Sequence, residues 1–157
     1  MKKYFVILSV IMLFTSCDPP RGYHNGEWYA KNCTEQKLTI SFPPDERYWV
    51  SRDIAPGDSV LILSHRFEYK GKIMPYFDRL PQIMVSYSGE DISLNVLSEQ
   101  GELLKKWSYL DKDLSGKQFF KETLWRYYER PGGSFEAAIT ATWVFDIMPE
   151  DLIEKDD

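Results

Sequence analysis

Hydrophobic and polar residues alternate with period two along most of the chain, as strands with one buried and one solvated face require. The longest run is Phe135, Ala137, Ile139, Ala141, Trp143, Phe145 and Ile147, interleaved with Glu136, Ala138, Thr140, Thr142, Val144 and Asp146. A helix would scatter those apolar side chains around its circumference, so the run predicts a central strand with Ile139, Trp143 and Phe145 in the core. Its extended length of ~43 Å exceeds that of most strands and predicts a bend or bulge within it. Upstream, Trp28–Cys33 and Leu38–Phe42 are expected to form a hairpin around Thr34-Glu35-Gln36. Pro43-Pro44 ends its second strand, because proline cannot donate to a sheet ladder. Tyr48–Ile54 and Val60–Ser64 are expected to pair through Ala55-Pro56-Gly57-Asp58, whose proline and glycine suit a type II turn.

Ile83–Tyr87 and Ile92–Leu97 flank Ser88-Gly89-Glu90-Asp91 as a third pair of strands, and Leu103–Trp107 follows across Glu99-Gln100-Gly101-Glu102. Phe120, Leu124 and Tyr127 fit helical spacing, yet the segment around them reads as an irregular, aromatic-rich connection. Pro149-Glu150-Asp151 opens a short terminal helical turn, with its acidic residues placed favourably near an N-terminus. So many short strands with frequent turns predict an all-β fold: an antiparallel β-sandwich, immunoglobulin-like in form, with an open β-barrel as the alternative.

The start of the chain is built differently. Met1-Lys2-Lys3 is basic, and Tyr4–Phe14 is apolar apart from Ser9. As a helix that run would rise only ~16 Å, against a hydrocarbon core of ~30 Å, so it reads as a secretory h-region rather than a membrane span. Leu13-Phe14-Thr15-Ser16-Cys17 resembles the lipobox of bacterial lipoproteins. The resemblance implies that residues 1–16 are a signal peptide and that Cys17 is lipidated and becomes the mature N-terminus. Residues 17–26, which include Asp18-Pro19-Pro20-Arg21-Gly22, then serve as a tether, and residues 27–157 form a single sandwich domain. Several acyl chains on one cysteine anchor stably, since each buried CH₂ contributes ~0.8 kcal/mol.

The chain as a whole resembles the small β-rich lipoproteins of bacterial envelopes, a class without one shared activity. That resemblance implies a lipid-anchored binding or structural module that presents its sandwich to a protein or glycan partner. Asp18 resembles a retention signal for the inner membrane in some bacteria; the outer membrane is the expected location.

Composition narrows the chemistry. The 157 residues make one domain, 43% of them hydrophobic and 15% aromatic, which supports a packed core. Lysine and arginine total 19 against 24 acidic residues, a net charge of −5, so a nucleic-acid partner is excluded for want of a basic excess. With Cys17 lipidated, Cys33 has no internal disulfide partner and reads as a small, half-buried hydrophobe at a strand end.

Only two histidines occur, His24 in the tether region and His65 near a strand end. His65 with Asp58 or Asp78 imitates part of a triad but reads as a surface histidine. No nucleophile elbow, P-loop or zinc-protease motif is present, so no catalytic residue and no cofactor are assigned. The enzymatic alternative is a glycosidase-like envelope hydrolase with dispersed carboxylates, whose spacing is spatial and not sequential.

Two clusters remain. Asp111-Lys112-Asp113-Leu114-Ser115-Gly116-Lys117 followed by Glu122 resembles a calcium-binding EF-hand loop, with ligands from Asp111, Asp113, Ser115, the Lys117 carbonyl and Glu122. Leu114 and Gln118 depart from that pattern and no second loop occurs. The expectation is therefore that the carboxylates stand apart, with Leu114 or Phe119 packed on the sandwich. Tyr48-Trp49, Phe119-Phe120 and Trp125-Arg126-Tyr127-Tyr128 concentrate aromatic side chains. Neighbours on a strand cannot all point inward, which makes Trp125, Tyr127 and Tyr128 the candidate ligand-binding residues.

Overall fold

The computed structural model describes residues 23–43, 51–68, 74–131 and 137–152, and they build two sheets of four strands each. The first sheet holds β1 (Tyr23–Asn32), β4 (Ser59–Glu68), β7 (Arg126–Pro131) and β8 (Ala137–Ile147), in the order β4-β1-β8-β7. The second holds β2 (Leu38–Ser41), β3 (Arg52–Ile54), β5 (Ser93–Leu97) and β6 (Leu103–Ser108), in the order β3-β2-β5-β6. The result is the predicted all-β sandwich, and neither sheet closes into a barrel. Its first sheet is mixed, because β1 runs parallel to β8 while every other pairing is antiparallel. Alternation reports which face of a strand is buried and carries no information about direction.

From Ala141 to Ile147 the long terminal run behaves as its pattern requires. Trp143, Phe145 and Ile147 are buried on the inner face of β8, an internal strand of its sheet. Ile139 is only half-buried. The expected bulge is present at Ala138, where the pairing of β1 with β8 steps from Tyr23–Ala137 to His24–Ile139. Opposite Trp143 on β1, Trp28 lies parallel to it with ring centroids 4.9 Å apart and planes within 6°. Gly26 leaves room for these rings: a Cβ there would sit 2.7 Å from Trp28 Cη2 and 2.8 Å from Phe67 Cε2.

Both expected hairpins in the first half are corrected to crossovers. Thr34–Gln36 carries the chain from β1 in one sheet to β2 in the other, and Ala55–Asp58 returns it from β3 to β4. The second turn still has the predicted form, with Gly57 at φ 80° and Asp58 N–H donating to the Ala55 carbonyl at 3.1 Å. Asn32 ties the two crossovers together. Its amide donates to the Gln36 and Ile54 carbonyls at 2.8 and 3.0 Å, and its carbonyl oxygen accepts from Thr34 N–H and hydroxyl at 2.9 and 2.7 Å. A fully buried amide is tolerated there because every one of these bonds is made.

Three further expectations change. The Ile83–Tyr87 strand is instead part of helix α1 (Arg79–Ser88), which buries Leu80, Pro81 and Met84. Leu80 and Met84 stand four residues apart on one face, and Pro81 falls in the first turn, where its missing N–H costs no intrahelical bond. The connection expected around Tyr127 contains a strand, β7, held by its ladder with β8. Tyr23–Gly26, assigned to the tether, belong to β1, so the folded unit includes residues before 27. The terminal turn occurs as predicted, a 3₁₀ turn over Pro149–Asp151 whose Asp151 carboxylate accepts from Met148 N–H at 2.8 Å.

Candidate functional site

Strand β7 is an edge strand exposed along its whole length. Tyr127 pairs with Trp143 across the ladder and so faces inward, yet it remains 47% exposed because the core stops short of this edge. The gap is bounded on its other side by the segment leading into α1. Together they leave a cleft of about 260 Å³ lined by Pro75, Tyr76, Phe77, Asp78, Glu122, Tyr127 and Trp143.

Its floor is buried, formed by Phe77 and Trp143, with Phe77 edge-on to Trp143 at 6.4 Å and to Trp125 at 5.3 Å. Its walls present open aromatic surface. The Tyr127 ring is tilted against Trp143 at 5.2 Å, and Tyr76, 42% exposed, leans edge-on to Phe67 at 5.5 Å. A 3₁₀ turn over Glu122–Leu124 brings Glu122 beside the floor, where its Oε1 accepts from Trp143 Nε1 at 3.3 Å. Tyr127 donates its hydroxyl to Glu129. Burial, then that hydrogen bond and the charges of Glu129 and Glu122, hold the phenol above its ordinary range, so it stays protonated. Asp78 precedes α1 without capping it through its side chain. Among the described residues the lining thus contains two carboxylates and no basic side chain.

Of the three aromatic candidates, the structure brings only Tyr127 to this cleft. Trp125 is core: it is buried and donates its indole N–H to the Phe119 carbonyl at 2.6 Å. Tyr128 is exposed on the opposite face of β7, hydrogen-bonded by Arg126, whose guanidinium grips Asp146 with two bonds of 2.5 and 2.6 Å. Tyr76 and Asp78 complete the cleft from a distant stretch of sequence. No local pattern marks them, since only the fold brings residues 75–78 against β7.

The calcium-like loop does not converge. Asp111, Asp113 and Ser115 are exposed, Glu122 is engaged with Trp143, and the Lys117 carbonyl accepts from Trp107 Nε1 at 2.6 Å. Among the described residues no group of three or more His, Cys, Asp or Glu side chains is placed to hold a metal. Of the two lysines within residues 111–117, Lys112 pairs with Asp113 at 3.7 Å and Lys117 is tied into the fold. Lys117 Nζ donates to the Asp146 carbonyl and to Asp151 Oδ2, each at 2.5 Å, and lies 5.0 Å from the Phe145 ring centroid. Phe119 packs fully into the core as expected, whereas Leu114 is exposed.

His65 takes neither Asp58 nor Asp78 as its partner; its Nε2 accepts from Arg79 Nε at 3.1 Å. Burial, then the Arg79 charge, lower its pKa. His24 is a buried residue of β1. Cys33 is half-buried just past β1, its thiol 3.7 Å from Asp146 Oδ1, and burial with the Asp146 charge pushes its pKa up, away from thiolate reactivity. Among the described residues no helix is long and apolar enough to cross a membrane. Cys17, the leader, and Tyr48-Trp49 lie outside the described residues. No protein-family model matches the chain, and no curated protein matches it.

Proposed function

We propose that this chain is a binding module of the bacterial envelope, anchored by lipid on Cys17 in the outer membrane and engaging a protein or glycan partner through the cleft beside β7. The observation that carries this reading is the pair of exposed tyrosines, Tyr76 and Tyr127, standing over a buried Trp143–Phe77 floor with Asp78 and Glu122 beside them. Aromatic faces on a fixed base supply contact area at low entropic cost, and a few polar groups orient what lands on them. Binding is favoured over hydrolysis because Glu122 already accepts a hydrogen bond from the Trp143 indole, which suits an acceptor that orients a ligand and not a proton donor.

The test is photocrosslinking in native envelopes. A photoreactive amino acid at position 127 should capture a discrete partner, and the same residue at position 128, on the opposite face, should not. Equal capture at both positions, or none at either, removes the cleft from the reading. The anchor is checked separately. Mass spectrometry of the native N-terminal peptide should show acylated Cys17, and Cys17→Ser should release the protein from the outer-membrane fraction. An unmodified N-terminus would overturn the anchoring.

A further inference from the structure

We propose that the occupant of this cleft is the primary ammonium of a lysine side chain presented by a protein partner. The inference rests on the reading of the cleft as the binding site and adds to it the chemistry of what binds.

The hydrogen bonds of the lining leave acceptors in excess. Trp143 has one donor, its indole N–H, and gives it to Glu122. Tyr127 gives its hydroxyl to Glu129. Among the described residues this leaves Tyr76 as the one lining side chain with a donor not so engaged, against the acceptor oxygens of Asp78 and Glu122. A sugar face presents hydroxyls that need donors and acceptors in similar number. An ammonium presents donors only, and a site of carboxylates matches it.

Charge and surface agree. The lining holds two carboxylates, Glu129 adds a third at the Tyr127 hydroxyl, and among the described residues no basic side chain lines the cleft. The open tyrosine rings offer π-faces, which attract cations more strongly where water is partly excluded. About 260 Å³ falls below the range of roughly 300–1,000 Å³ usual for drug-sized ligands, so the cleft accepts one end group and not a run of sugar rings. A butylammonium chain, apolar along its stem and charged at its tip, fits aromatic walls with carboxylates beside them.

The experiment titrates the full chain with Nα-acetyl-lysine amide, its uncharged analogue Nα-acetyl-norleucine amide, tetramethylammonium and N-acetylglucosamine, following the Trp143 indole N–H resonance by NMR. Saturable binding of the lysine amide is expected, with none of norleucine amide or of the sugar, and with weakening as salt is raised. Asp78→Asn and Glu122→Gln should each weaken it about tenfold, the loss expected for one charge-assisted contact. Tyr127→Phe should retain binding, because that hydroxyl is already given to Glu129, and Tyr127→Ala should lose it. Asp78→Asn changes an exposed side chain that makes no cap, so it keeps the test valid if Glu122→Gln loosens Trp143.

Tetramethylammonium binding more tightly than the lysine amide would assign the cleft to quaternary head groups and overturn the proposal. Binding of the sugar without the amide would overturn it while leaving the cleft as a binding site. If no probe binds, the lysine assignment falls, and crosslinking at position 127 then decides separately whether the cleft reading falls with it.

Discussion

Gly26→Ala is the smallest change that tests the packing of the first sheet. The added Cβ would lie 2.7 Å from Trp28 Cη2, 2.8 Å from Phe67 Cε2 and 3.0 Å from Trp28 Cζ3. Carbon atoms pack best at about 3.5–4.0 Å, so both rings must retreat. Neither has an easy path. Trp28 is fully buried and stacked on Trp143, and Phe67 stands edge-on to His65 at 4.9 Å and to Tyr76 at 5.5 Å. Overpacking of this kind costs ~1–3 kcal/mol, and the reduced freedom of the unfolded chain returns ~0.4–1 kcal/mol, for a net loss of ~1–2 kcal/mol.

Urea unfolding followed by tryptophan fluorescence should show a lower midpoint at unchanged slope, and the melting temperature should fall by roughly 2–4 °C per kcal/mol. Phe67→Leu in the same chain removes one of the two clashing rings. The double variant should therefore be less destabilised than the sum of the single ones, by ~0.5 kcal/mol or more. A neutral or stabilising Gly26→Ala, or strict additivity with Phe67→Leu, would refute the ring arrangement over Gly26.

Trp143→Ala should cost ~3–5 kcal/mol, since it removes a buried ring that stacks on Trp28 and floors the cleft; a change below ~1 kcal/mol in denaturant unfolding would show that this face is not core. Lys117→Met should cost ~1–3 kcal/mol and expose the end of β8 to hydrogen exchange, because Asp151, with 8% of its side chain accessible, loses its cationic partner. Unaltered exchange at Asp146–Met148 would argue against the lysine tie. His65 binds protons less readily folded than unfolded, so stability should be full above its ordinary value of 6.5 and should fall as pH drops below it. His65→Gln should flatten that slope, which lies above the range near pH 4 where carboxylates titrate.

The legible parts of this molecule are those where one face is buried and the other wet. The alternation from Ala141 to Ile147 was sufficient to place β8 in the core, and Glu99–Glu102 marked the turn between β5 and β6 because Gly101, at φ 82°, does there what few other residues can. Alternation was silent on partners. Thr34–Gln36 reads as a hairpin turn until the buried Asn32 amide is seen holding two crossovers together. Ile83-Met84-Val85 is too short a run to separate strand from helix, and the Leu80–Met84 spacing that decides it crosses a proline. Strand β7 shows no burial alternation because all of it is exposed; its ladder to β8 creates it. For the cleft, the aromatic run points to Tyr127, and Glu122 stands out in the sequence only for calcium chemistry that the fold does not assemble. Tyr76 was invisible, since its relation to Tyr127 exists only in three dimensions.

The placement of β1 between β4 and β8 has a consequence for the order of events during synthesis. β1 leaves the ribosome early, yet one of its two neighbours is β8, among the last segments described, and the Trp28–Trp143 stack closes only when both are present. Half of the hydrogen-bonding capacity of β1 therefore waits, open, for most of the chain to appear. Such long-range pairing slows folding, typically to the millisecond-to-second range. It also defers completion of the first sheet until β8 has been made.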